Sequence, residues 1–298
     1  MSLSEALVPE SLVWFTHRVE GSRHLGLYDT NSGSYRDAGP RPAYFERSEL
    51  AGGELCNPRT LLATSQAMAG QPVFDIPVAH PSKILCLGKN FAAHAAEFGA
   101  EVPEEPIFFT KFADTLIPDG APIVLPHWVN SRIDHELELA IILGFDDPED
   151  RGRKYVSAED ASALVAGYTV LNDVTARKMQ GQDRGQEHPW LRSKSFDSFC
   201  PIGPWVVPAS ERPELGDLAM HLHVNEDLRQ SSSTGLMVVD IPHAIEYLSR
   251  HTTLRPGDII AMGTPAGVGP IEDGDTVTCC IESIGTLSNP VTREAAPH

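Results

Sequence analysis

Basic side chains are scarce in this sequence. Its 298 residues hold 23 Lys and Arg against 41 Asp and Glu, a formal net charge of −18 at pH 7. Such a field repels phosphate backbones and anionic lipid headgroups within a Debye length, so neither nucleic acid nor a membrane is an expected partner. A small anionic substrate stays admissible where a local cation reverses the sign. Long apolar runs are missing too, since no stretch approaches the ~18 residues needed to span a bilayer. The opening MSLSEALVPESLVWF has early acids in place of the basic and apolar regions of a secretory signal. The five cysteines (Cys56, Cys86, Cys200, Cys279 and Cys280) include an adjacent pair and show neither a C-x-x-C spacing nor a matching His cluster for zinc. They are expected as small core residues of a protein kept in a reducing cytoplasm. No G-x-S-x-G elbow, Walker loop or G-x-G-x-x-G occurs, which leaves serine hydrolases and nucleotide enzymes unsupported.

What is present is a succession of short apolar strands. From PSKILCLG onward the chain reads PIFFTKF, APIVLP, LELAIILG, ALVAGYTVLNDV, GPWVV, MHLHVN, DIIAMGT and DTVTCCIESIGTLSN, punctuated by Gly and Pro. Helical patterns interrupt it only at 91–98, 175–182 and 244–250. This argues for a strand-rich α+β fold with mixed or antiparallel sheets and against regular βαβ winding. Residues 1–78 read as a small N-terminal α/β unit, with a strand at LVWFTHRV, a turn-rich stretch and a helix over 48–68. Residues 79–298 form the expected catalytic domain.

The segment IDHELELAIILG alternates as a half-buried strand does. Asp134, Glu136 and Glu138 fall on one face of it, in a stretch whose later half looks like interior. Carboxylates that cannot be solvated protonate or bind a cation. Asp173, where an apolar strand breaks at Asn172-Asp173 before a helix, suits the same task. Three carboxylates without a Cys ligand favour Mg²⁺, Mn²⁺ or Ca²⁺ over zinc or copper. A solvent-facing strand edge is the alternative for the Glu pair, and a helix N-cap for Asp173. In KNFAAHAAEFG, His94 and Glu97 stand three apart on a helical turn, where the carboxylate orients the imidazole and raises its basicity; a surface ion pair has the same spacing. Lys194, in SKSFDSFCPIGP, could meet a substrate carboxylate or snorkel out of the core. The Gly-rich GTPAGVGP could hold an anion on its N–H groups and the Thr264 hydroxyl, or simply turn the chain. His221 and His223 share a strand face and read as structural.

Taken in order, CLGKNFAAHAAEFG, PIFFTK, IDHELELAIILG, GYTVLNDVTARKMQ, KSFDSFCPIGP, HVNEDLRQ, LRPGDIIAMGTPAGVG and IGTLSN resemble the fumarylacetoacetate hydrolase family over roughly residues 82–290. The resemblance implies a mixed β-roll or β-sandwich catalytic domain, paired as a homodimer. It implies Mg²⁺ or Mn²⁺, with Ca²⁺ able to substitute in crystals, held by Glu136, Glu138 and Asp173. It makes His94 and Glu97 a water-activating dyad and Lys194 a catalytic cation, with Arg177, Gln180 and Thr264 binding substrate. The chain departs from the family pattern at Phe91, at His135 and at Lys178, which follows Arg177 where an acid is usual. The implied substrate is a small anionic 2-oxo or β-diketo acid. The implied reaction is C–C hydrolysis of an acylpyruvate or fumarylpyruvate type, with decarboxylation of an oxaloacetate-like acid or isomerisation of a hydroxymuconate-type intermediate as alternatives.

Overall fold

A computed structural model describes residues 11–40 and 58–297, apart from 79, 100, 146, 148, 149, 213 and 214. Its spine is a twelve-stranded mixed sheet. At the centre Leu137–Leu143 lies antiparallel between Val165–Asn172 and Ile259–Ala261, with Leu139 opposite Val170 and Ile141 opposite Ile260. The alternation of LELAIIL puts Leu137, Leu139, Ile141 and Leu143 into one core and Ala140 and Ile142 into another on the opposite face. Both faces are covered, so the strand is buried throughout and not half-buried as the alternation suggested. Beyond Ile259–Ala261 the sheet continues into Ile84–Gly88, paired in parallel, and then Ile107–Lys111. A five-stranded sheet made by Asp227–Ser233, Ala219–Val224, Thr276–Ile281, Gly285–Arg293 and Ile123–Leu125 packs near it, and a three-stranded one contains Ile133–His135. Strands thus dominate, as expected.

The three expected helices of the larger part are present as Ala92–Glu97, Arg177–Gly185 and Ile241–His251. Thr175–Ala176, assigned to a helix from sequence, instead pairs with Ile133–His135, and Leu191–Lys194 forms a short helix not anticipated. The helix expected over 48–68 falls partly outside the described residues. Its described part is a 3₁₀ turn, Pro58–Leu61, followed by a short strand, Gln66–Ala67. N-terminal strands Leu12–Val19, Ser22–Asp29 and Ser34–Pro40 extend the main sheet, joined to it where Trp14 pairs with Val206. The expected boundary near residue 78 separates stretches that share this sheet and both cores. No helix among the described residues is long and apolar enough to cross a membrane. Cys86, Cys200 and Cys279 are buried free thiols, as expected.

Candidate active site

Glu136 lies where the chain passes from Ile133–His135 in the small sheet to Leu137–Leu143 in the large one. Its backbone N–H donates to Asn172 Oδ1 (2.9 Å), and its carbonyl accepts from the Asp173 N–H (2.8 Å). Those two bonds tie the strand crossing to the end of Val165–Asn172. The carboxylates of Glu136, Glu138 and Asp173 converge there, with one oxygen of each within 4.8 Å of the others, all at 3% exposure or less. A solvent-facing strand edge is therefore overturned.

Three cations answer this charge. Lys194 Nζ donates to Glu136 Oε2 (2.8 Å) and Asp173 Oδ2 (2.5 Å), so the ammonium points inward and does not snorkel. Arg177 bonds Glu136, Asp134 Oδ2 (2.7 Å) and Gln180 Oε1 (2.6 Å). Its guanidinium is thus oriented by Asp134 although Lys178 occupies the usual acidic position. The third cation is Lys111, which donates to Asp173 Oδ1 (2.7 Å) and to the carbonyls of Lys194 and Val174. Sequence reasoning missed it. A lysine closing an apolar strand, PIFFTK, was the available signal, since a buried ammonium needs a carboxylate.

Burial favours a protonated Glu136, but Lys194, Arg177 and His94 outweigh it and hold this carboxyl below the usual range. Glu138 goes the other way: burial and the charges of Asp173 and Glu136 push it well up, with its hydrogen bond from Gly263 N (2.7 Å) opposing. A buried carboxylate in that position needs a proton or a cation. The donor set is entirely oxygen, compact and more negative than its immediate lysine and arginine partners relieve at Glu138. It fits a hard divalent ion of the Mg²⁺ or Mn²⁺ kind.

Beside the cluster opens a cavity of about 200 Å³. Of the residues singled out from sequence, His94, Glu136, Glu138, Asp173, Arg177, Gln180, Lys194 and Thr264 all line it. Glu97 stands behind His94, its Oε2 3.2 Å from Nδ1, and its Oε1 accepts from the Gly267 N–H (3.2 Å). The pair is thus anchored to the Gly-rich loop and is not a free surface ion pair. Burial lowers the His94 pKa, with Glu136 and Glu97 opposing and Arg177 adding, which leaves a neutral imidazole beside the cavity. The GTPAGVGP loop spends its Gly263 and Gly267 N–H groups on Glu138 and Glu97, not on an anion. Thr264 accepts from Gln230 Nε2 (2.8 Å), so its own hydrogen can be donated to a ligand. Trp190, Phe98 and Phe109 give the cavity an apolar wall, and Lys89 and Arg184, also unanticipated, add cationic character. His135 turns away from the cluster to Gln230 (3.3 Å).

A strand-rich mixed fold, a buried three-carboxylate cluster paired with two lysines, and a His–Glu dyad beside one cavity together have the make-up of an enzyme active site. The chain belongs to the fumarylacetoacetate hydrolase family: the model of that family's C-terminal domain matches residues 83–292. A protein of Pyrococcus abyssi is 46% identical over 214 residues, 72% of this chain and 92% of the relative. The mitochondrial oxaloacetate tautomerase FAHD2B of Bos taurus is 38% identical and spans 90% of this chain and 87% of its own length. Among solved structures, fumarylpyruvate hydrolase of Pseudomonas aeruginosa, in complex with Mn²⁺ and pyruvate, aligns with a TM-score of 0.66 at 34% identity, covering 76% of this chain and 94% of that one. A 2-hydroxyhepta-2,4-diene-1,7-dioate isomerase of Mycobacterium marinum aligns at 0.73 and 33%, covering 96% and 100%. Hydrolases, isomerases and oxaloacetate tautomerases are thus all among its relatives.

Proposed function

We propose that this protein is a divalent-metal-dependent hydrolase that cleaves a C–C bond in a small β-diketo acid of the acylpyruvate or fumarylpyruvate type. The observation that carries this reading is the placement of His94, backed by Glu97, on the same cavity as the carboxylate cluster. Glu136, Glu138 and Asp173 would hold the ion. When bound, it supplies Lewis-acid stabilisation for the negative charge that develops on the substrate's 2-oxo oxygen. The rest of the work falls to this chain's side chains. Arg177 and Lys194 offset charge at the carboxylates, and Gln180 and Thr264 offer hydrogen bonds to substrate oxygens. His94, neutral and oriented by Glu97, takes a proton from water at its cavity-facing nitrogen as that water attacks the distal carbonyl; the C–C bond then breaks toward the 2-oxo fragment, and the imidazolium returns the proton to the carbon so released. The apolar wall of Trp190, Phe98 and Phe109 keeps other water out and accepts the acyl chain.

A second reading rests on the bovine relative that spans 90% of this chain. The substrate would then be oxaloacetate, and the same imidazole would move a proton at the carbon next to the keto group, for tautomerisation or on the way to CO₂ release. The experiment is a parallel assay of wild type and His94→Ala, with Mg²⁺, on acylpyruvates, fumarylpyruvate and oxaloacetate. Hydrolysis of a β-diketo acid that falls roughly 10²–10⁴-fold in the variant is the expected result. Equal hydrolysis by both proteins would refute the role given to the dyad, and turnover of oxaloacetate alone would replace the first reading by the second.

A further inference from the structure

We propose that His17, His24 and Asp37 form a second cation site on the N-terminal strands, suited to Zn²⁺ or another borderline transition-metal ion. It lies outside residues 83–292, which the family domain covers, and shares no residue with the carboxylate cluster.

The strands bring the three together through their pairing. His17 and His24 are directly opposed in the antiparallel pair of Leu12–Val19 with Ser22–Asp29. Ser34–Pro40 pairs on the other edge of Ser22–Asp29, and a register shift between His24 and Gly26 brings Asp37 in beside His24. One ligand atom from each residue lies within 4.8 Å of the other two. His24 Nδ1 is 3.0 Å from Asp37 Oδ2, and His17 Nε2 is 3.5 Å from Asp37 Oδ1. A tetrahedral ion with bonds of ~2.0–2.1 Å has ligand–ligand edges of about 3.3–3.4 Å, close to both distances.

A second observation concerns burial. His17 is 2% exposed, and apart from the Asp37 carboxylate 3.5 Å away its buried Nε2 has no hydrogen-bond partner. A buried nitrogen with only so long a contact carries a desolvation cost that an ion bond would remove. Burial lowers the His17 pKa, with Asp37 opposing, so the ring carries the lone pair a ligand needs. The Gly39 N–H donates to Asp37 Oδ1 (2.8 Å) and fixes the carboxylate from behind, as outer hydrogen bonds do at metal centres. The side chains of His24 and Asp37 remain partly exposed, at 13% and 26%, which gives an ion a route in and water a fourth position. Two imidazole nitrogens and one carboxylate select a transition-metal ion, whereas the all-oxygen cluster selects Mg²⁺ or Mn²⁺. The two sites are therefore separable by metal.

The full-length protein, stripped by a chelator and held in excess Mg²⁺, is titrated with Zn²⁺ and, separately, Co²⁺. Wild type is expected to bind one more Zn²⁺ per chain than His24→Gln or Asp37→Asn. Only wild type should show the intense visible absorption of tetrahedral Co²⁺. Losing an outer-shell partner already costs about 10–100-fold in affinity, so losing a ligand here should cost roughly 100-fold or more. Mg²⁺-supported turnover should be the same in all three proteins. Equal Zn²⁺ stoichiometry and equal Co²⁺ spectra in wild type and folded variants would overturn the site, leaving a plain His–Asp–His electrostatic cluster. X-ray absorption of Zn²⁺-loaded wild type needs no variant: imidazole scattering around the ion is expected, and an oxygen-only shell overturns the proposal.

Discussion

Glu136 and Glu138 stand two residues apart on one chain, yet their surroundings push their carboxyls in opposite directions. At Glu136, Lys194 and Arg177 outweigh burial, whereas at Glu138 burial and two like charges outweigh Lys194 and one backbone N–H. Its folded pKa lies above its unfolded one, so metal-free protein is stabilised below the ordinary carboxylate range and loses that stability as pH rises through the raised value. Glu138→Gln keeps an oxygen for the Gly263 N–H and removes the charge. The metal-free variant should melt at the same temperature as wild type or higher at neutral pH. Mg²⁺ at 100 times its Kd should raise wild-type stability by about 2.7 kcal/mol and leave the variant unmoved. Thermal melts of both proteins with and without Mg²⁺ check this, and an equal Mg²⁺ shift in the two would rule out Glu138 as a ligand.

Elements carry these side chains to one place, and the loop after Ile259–Ala261 shows how little freedom that leaves. Gly263 adopts φ +86°, and a Cβ there would lie 2.9 Å from Asn90 Cβ and 3.1 Å from the Leu87 carbonyl. Asn90 cannot retreat, because its amide bonds Met262 O (2.8 Å) and Val239 O (3.0 Å) and its Oδ1 accepts from the Val239 N–H (2.7 Å). Gly263→Ala should therefore cost at least the roughly 1–2 kcal/mol of left-handed backbone strain. A loss of that size lowers Tm by about 2–4 °C per kcal/mol in a chain of 150–250 residues, and somewhat less here. Because the same loop delivers an N–H to Glu138, the variant should also bind Mg²⁺ more weakly. Calorimetric titration of the variant reads this directly, and unchanged affinity with unchanged Tm would show that the loop yields at no cost.

At the scale of the whole molecule, the connection from Leu116–Ile117 in the main sheet to Ile123–Leu125 in the five-stranded sheet holds Asp119. Its Oδ1 accepts from the Ser288 N–H (2.7 Å), but burial raises its pKa from 3.8 to about 6. A carboxylate raised in this way leaves stability intact below its unfolded pKa and withdraws it as pH climbs from about 4 to 6. Asp119→Asn keeps the acceptor without the charge. The Tm of the variant minus that of wild type should be near zero at pH 4 and positive above pH 6. A flat difference across that range would show that water relieves the charge.

Much of this protein was determined by its sequence alone. Period-two alternation in LELAIIL, the break at Asn172-Asp173 and the three-residue spacing of His94 and Glu97 are local facts, set by backbone geometry that neighbouring residues impose. They sufficed for the strand-rich class, the carboxylate cluster and the His94–Glu97 pair, while the order of the motifs and their resemblance to a known family supplied Arg177 and Gln180, which also line the cavity. Three things were decided only in the tertiary structure. Lys111 lies 62 residues from Asp173, and Lys194 lies 58 from Glu136, so no local pattern could say which buried ammonium meets which carboxylate. Arg177 took its orientation from Asp134 across a strand pairing, not from its neighbour in the chain. The N-terminal strands joined the main sheet through Trp14 and Val206 because an edge strand's backbone groups must be paired somewhere, and composition does not say where. Periodicity fixes the face a side chain takes; its partner is fixed by long-range pairing, whose energy depends on distance in space and not along the chain.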